Sequence, residues 1–206
     1  MTRRLVIAVD CDDVLMPTAQ AIADDYYRRF GVRVDLKDFY EPASHKSWGA
    51  DSDEEVIERV AQFLRSKEHA ELVPFPEAVM AVKTLAKNHE LHLVSGRVDH
   101  LRPVTERMLS THFPECFRSI EHTNFIVSST SKAQRRSKGE VCRSIGADIL
   151  VDDHFHHVQN VLTADVGRAI LFGNYPWSQK EELLAGMVRC ADWPAVIEEV
   201  ERYAAR

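Results

Sequence analysis

Four short, continuously apolar runs constrain this chain more than any other feature: Leu5 to Val9, Leu91 to Val94, Ile149 to Val151 and Ala169 to Phe172. Each is bounded by polar or turn residues. Such runs are expected of strands buried on both faces of a parallel sheet, which must be separated by crossover helices. Helix signals lie between them. Thr18 to Phe30 spaces Ile22, Tyr26 and Phe30 four apart and stops at Gly31, a natural C-cap. Ser52 with Glu55, Ser137 with Glu140, and Ser178 with Glu181 match the S-x-x-E capping box. Pro76, Pro103 and Pro194 stand where first helical turns can begin. The expected fold class is α/β, a doubly wound parallel sheet.

The spacing is uneven. Asp10, at the end of the first run, and Ser95, at the end of the second, are 85 residues apart, far more than one crossover helix requires. The expected organisation is therefore a core of residues 1–16 and 76–206, with a small helical cap at 17–75 inserted after the first strand. That insertion holds the Thr18 and Ser52 helices and an irregular link with Phe39, Tyr40, His45 and Trp48.

Composition removes several function classes. With 26 basic and 32 acidic residues, the net charge of −6 argues against a broad nucleic-acid surface, while a small phosphorylated ligand needs only local cations. The first apolar run is too short to span a membrane and lacks a cleavage site, so a cytoplasmic protein without a membrane partner is expected. Cys11, Cys116, Cys142 and Cys190 form no CxxC pair, and reduced thiols are expected. Cys11 lies among carboxylates, which disfavour a thiolate nucleophile.

Ligands of open parallel sheets bind beyond the carboxyl ends of the strands, so the residues found there carry the chemistry. The first strand runs into Asp10-Cys11-Asp12-Asp13. Three acids so close repel one another unless a cation compensates them, and clustered carboxylates of this kind suit Mg²⁺. The plain alternative, an acidic turn capping the Thr18 helix, needs only one of the three. The second strand ends in Ser95-Gly96-Arg97, where a hydroxyl and backbone N–H groups can receive a phosphate, or simply make a turn. Lys138, at the start of the helix leading into the third run, can neutralise a phosphate oxygen; Lys132 is its rival. The third run ends in Asp152-Asp153, a second acidic pair suited to sharing a divalent metal with the first. His154, His156 and His157 follow at once, but the hard carboxylates beside them favour magnesium over zinc or iron.

Taken in order, Asp10-x-Asp12, Ser95, Lys138 and Asp152-Asp153 resemble the haloacid dehalogenase superfamily over the whole chain. The resemblance implies that Asp10 is a nucleophile taking a phosphoryl group as an aspartyl phosphate, and that Asp12 protonates the leaving alcohol and later deprotonates water. It implies that Ser95, Gly96 and Lys138 hold phosphoryl oxygens. It implies a Mg²⁺ site made of Asp10, the backbone carbonyl of Asp12, Asp152 and Asp153. A second acid at Asp12 is similar to the phosphatase branches and unlike the dehalogenases. Asp13 where many members have glycine, followed by Val14 and Leu15, looks like the 5′(3′)-deoxyribonucleotidase-like branch, as do Leu171 to Trp177 and Arg189 to Trp193. The expected substrate is a small phosphate monoester, a deoxynucleoside monophosphate or else a sugar phosphate. Two other classes compete: a phosphorylated signalling domain, against which the long insertion argues, and a catalytically silent binding protein on the same fold.

Overall fold

All four apolar runs are strands, and the protein adds two more to the same sheet. The computed structural model describes residues 3–39, 44–124, 135–164 and 166–206. Tyr40 and Lys132 lie outside them. In chain order the sheet strands are β1 (Val6–Val9), β2 (Glu90–Ser95), β3 (Phe117–His122), β4 (Ile149–Asp152), β5 (Arg168–Phe172) and β6 (Met187–Cys190). Their spatial order is β3-β2-β1-β4-β5-β6, with every neighbouring pair parallel.

Side-chain alternation sorts the strands into two cores. Ile7, Val9, Leu91, Leu93, Ile149, Val151 and Ile170 face one layer, where they meet helices α4 (Pro76–Leu85), α5 (Arg102–His112) and α8 (Trp193–Ala204). Ala8, Val94, Leu150, Ala169 and Leu171 face the other, against α6 (Lys138–Ile145) and α7 (Phe155–Leu162). Burial on both faces is why these strands read as apolar runs, broken only by the buried His92.

Prolines 76, 103 and 194 occupy the first turns of α4, α5 and α8. The Ser137–Glu140 capping box forms in full, and Ser52 caps its helix through Glu55 N–H. The box at Ser178–Glu181 does not form a helix. Ser178 is buried and its hydroxyl donates to the Tyr175 carbonyl at 3.3 Å, so the side chain closes a turn instead.

Between β1 and α4 lie α1 (Thr18–Phe30), α2 (Asp53–Leu64) and the single turn α3 (Lys67–Ala70). They gather a separate apolar cluster of Ile22, Tyr26, Trp48, Val56 and Phe63. Gly31 ends α1 with φ of 72°, the left-handed conformation that glycine adopts without a Cβ penalty. Tyr26 and Trp48 pack edge to face at 5.0 Å, and the Tyr26 hydroxyl donates to the Trp48 carbonyl. These two aromatics are therefore packing residues, as aromatics at helical spacing usually are. No helix among the described residues is long and apolar enough to cross a membrane.

Candidate active site

The sheet registers bring the acidic motifs together. Val9 of β1 pairs with Val151 of β4, and the Asp10 N–H continues the ladder to the Val151 carbonyl at 2.9 Å. Asp10 and Asp152 thus leave adjacent strands at the same level. Between them stands Lys138, from the first turn of α6, whose ammonium lies 2.9 Å from Asp10 and 2.5 Å from Asp152. All three are buried. Burial pushes the Asp10 carboxyl up, Lys138 opposes it, and the balance rests at about 6. Burial works to lower the Lys138 ammonium, but the two carboxylates hold it above the ordinary lysine range.

Asp152 also accepts the His154 backbone N–H at 2.9 Å and contacts His157 Nδ1 at 3.2 Å. Against the effect of burial, Lys138 and then His157 hold its carboxyl below the usual range. Asp153 behaves oppositely: burial, then the charges of Asp152 and Asp10, raise it well above the normal value. Asp153 lies outside the group of side chains that, among the described residues, could hold a metal together, which is Asp10, Asp152 and His157. Oxygens of Asp10 and Asp152 and a His157 nitrogen lie within 4.8 Å of one another, so this cluster can hold a divalent ion. Its carboxylates are the hard donors that suit Mg²⁺. His156 is exposed and points to no metal role.

The three acids of the first loop have three different jobs. Asp13, at φ of 58°, accepts the Ala19 N–H through both oxygens, at 2.9 and 3.3 Å. It caps α1 in place of Pro17, which offers no side-chain acceptor. Burial raises its carboxyl to about 8, with the Ala19 N–H opposing. Cys11 is buried, and burial raises its thiol far beyond the range of a nucleophile. Asp12 is clamped by Arg97: Nε donates at 2.9 Å and Nη2 at 2.7 Å, while the Thr18 hydroxyl donates at 2.6 Å. The guanidinium outweighs burial and holds Asp12 at about 2.

Ser95 ends β2, fully buried, and its Oγ accepts the Arg97 N–H at 3.2 Å; Gly96 follows in the turn. The Ser95–Gly96 turn thus stands at the strand end beside β1, while Asp10, Lys138 and Asp152 are in direct contact.

Arg97 follows β2 after Gly96, but nothing in its sequence neighbourhood shows its role. It is a buried hub whose Nη1 donates to Thr105 Oγ1 at 3.1 Å and whose Nη2 lies 3.4 Å from His69 Nε2 of α3. Burial, reinforced by Arg97, lowers His69 to about 4. A buried carboxylate in the first loop required a buried cation, and an arginine directly after the second strand was the available signal.

No protein-family model matches the sequence, and no curated protein does. Solved structures do match. A candidate phosphatase from Clostridium difficile superposes with a TM-score of 0.69 at 14% identity, covering 97% of this chain and 100% of that one. A haloacid dehalogenase-like hydrolase from Streptococcus pneumoniae gives 0.65 at 12% identity, covering 95% and 98%. The fold is that of the haloacid dehalogenase-like hydrolases. L-2-haloacid dehalogenase from Xanthobacter autotrophicus, solved with chloropropionic acid covalently bound, shares it too, with a TM-score of 0.60 at 11% identity and coverage of 96% and 98%. A haloacid dehalogenase-like fold thus accommodates more than one chemistry, and the choice among them rests on the side chains.

Proposed function

We propose that this protein is a magnesium-dependent phosphatase that hydrolyses a small phosphate monoester through an aspartyl-phosphate on Asp10. The observation that carries the reading is the buried Lys138 ammonium between Asp10 and Asp152, at the ends of the two central strands. Phosphate monoesters hydrolyse so slowly because negative charge must approach negative charge, and a preset cation at the nucleophile answers that difficulty.

In this reading an Asp10 oxygen attacks phosphorus in line with the leaving alkoxide, and the P–O bond to the alcohol breaks as Asp12 supplies its proton. Water then attacks the phosphoryl group, Asp12 accepts its proton, and the Asp10–phosphorus bond breaks to release phosphate. Lys138, with the Ser95 hydroxyl and the Gly96 backbone, holds the phosphoryl oxygens. Asp10, Asp152, Asp153 and the Asp12 carbonyl are the residues that would hold Mg²⁺, which supplies further neutralisation of the phosphoryl charge. The insertion bearing α1 to α3 acts as the cap that excludes water and selects the leaving group.

Asp12 places a condition on the scheme. Clamped by Arg97, it is a carboxylate at rest, in the right state for the base of the second step. To act as acid in the first it must leave the guanidinium and take up a proton, so substrate binding has to open the Arg97 clamp.

The test is phosphate release from p-nitrophenyl phosphate and a panel of nucleoside and sugar monophosphates, with Mg²⁺ and with chelator. Metal-dependent release is expected, and a preference for deoxynucleoside monophosphates would support the branch that the sequence resembles. Metal-independent halide release from 2-haloacids instead would replace the reading with a dehalogenase. Stable Mg²⁺ binding without turnover would indicate a binding protein.

A further inference from the structure

The segment after β5 has no regular secondary structure between Phe172 and Met187, yet its first part, Gly173 to Gln179, is braced. Gly173 has φ of 77° and lies directly under the Tyr175 ring, where a Cβ would meet Cε2 at 2.6 Å. Gln179 donates to the Asn174 carbonyl at 2.7 Å, and Arg189 of β6 donates to the Ser178 carbonyl at 2.8 Å. Held this way, Tyr175 and Trp177 stack with centroids 4.6 Å apart and planes 6° from parallel.

Each ring of this pair sends its polar atom to a different acidic loop. Tyr175 Oη donates to the Asp13 carbonyl at 2.6 Å, and Trp177 Nε1 donates to Asp153 Oδ2 at 2.9 Å. On the insertion side, the Phe39 ring lies 6.2 Å from that of Trp177, and Phe39 packs against Trp48 at 4.9 Å. An aromatic row therefore runs from the core of the insertion to the second acidic pair.

We propose that Trp177 is a positioning residue for the divalent cation: its indole N–H fixes one oxygen of Asp153 and so directs the other toward the ion or its bound water. The inference rests on the assignment of Asp153 to the Mg²⁺ site. A neutral donor suits the task. It restrains the carboxylate without a counter-charge that would compete with the metal, in contrast to Lys138 on Asp152.

The experiment is Mg²⁺ binding to the substrate-free chain by calorimetry, for wild type, W177F, D153N and the double variant. Phenylalanine keeps an aromatic ring against Tyr175 and removes the donor. W177F is expected to bind Mg²⁺ ten- to a hundred-fold more weakly, with little change in melting temperature without metal, and to cost nothing further in the D153N background. A merely structural tryptophan would lower the melting temperature and leave the affinity of the folded protein unchanged. Equal Mg²⁺ affinity in wild type and W177F would overturn the proposal alone; no binding by wild type would also overturn the assignment of Asp153. Should W177F fail to fold, the wild-type indole N–H signals decide, with Trp48 and Trp193 assigned by their own phenylalanine variants. The Trp177 signal is expected to shift on Mg²⁺ addition, and a Trp177 signal that stays in place would overturn the proposal.

Discussion

Two buried cations stand on either side of the first acidic loop, and they differ in what holds them. Lys138 is held wholly within the sheet core: its helix is fixed by a complete capping box, and its partners Asp10 and Asp152 leave adjacent strands in register. Arg97 straddles a boundary, joining Asp12 and Thr105 to His69 of the insertion. The surroundings of Asp10, the proposed nucleophile, are thus set by the sheet, whereas those of Asp12, the proposed proton-transfer residue, depend also on where α3 lies. A rigid sheet where bonds are proposed to be made, and a proton-transfer residue shared between the sheet and α3, match the two demands of the proposed reaction.

The largest effects should come from the rigid side. Asp10→Asn keeps the volume and removes the nucleophilic charge, so turnover should fall on the order of 10⁴-fold or more with melting temperature preserved; near wild-type rates would sink the mechanism. Lys138→Met should reduce kcat by about 10²–10³-fold. It should also destabilise the fold by about 3–5 kcal/mol, because two carboxylates lose their buried partner; equilibrium unfolding measures this second part.

The shared side should respond more selectively. Asp12→Asn should impair a poor alkyl leaving group more than p-nitrophenol, which needs little protonation; equal losses on both would remove Asp12 from that role. Arg97→Gln should free Asp12 from its clamp and raise its carboxyl, moving the alkaline limb of the kcat/KM–pH profile upward, whereas Lys138 substitutions should raise Asp10 and move the acidic limb instead.

The smallest effect concerns stability alone. His69 is held at about 4 in the folded protein against an ordinary 6.5, so the folded state binds fewer protons than the unfolded between those values. Its contribution is present above pH 6.5 and is lost as pH falls toward 4. His69→Gln should flatten the acid-side decline by about 2 kcal/mol, measured by denaturant unfolding at pH 7 and pH 4.5. An unchanged slope would mean that His69 protonates freely and that the boundary is looser than its burial suggests.

The strands that were legible in the sequence are β1, β2, β4 and β5, the inner four, because burial on both faces demands nearly unbroken apolar side chains. Phe117-Arg118-Ser119-Ile120-Glu121-His122 and Met187-Val188-Arg189-Cys190 carry no such signal for the complementary reason. They are the two sheet edges, half exposed, and an edge strand tolerates charges that erase the signal. Among the candidate site residues, order along the chain was enough to single out Asp10, Asp12, Ser95, Lys138, Asp152 and Asp153. Their division of labour was not legible: nothing local separates Asp12, clamped by a guanidinium, from Asp13, which caps a helix.

The sequence by itself determined the periodicities and strand-end chemistry, since these depend on near neighbours and on whether a segment is buried on one face or two. Only the tertiary structure decided the partners: Arg97 reaches Asp12 across 85 positions of chain and Trp177 reaches Asp153 across 24. The physical reason is that a buried charge or N–H must find its complement in space, and the chain that supplies it can come from any strand end that the sheet order brings alongside.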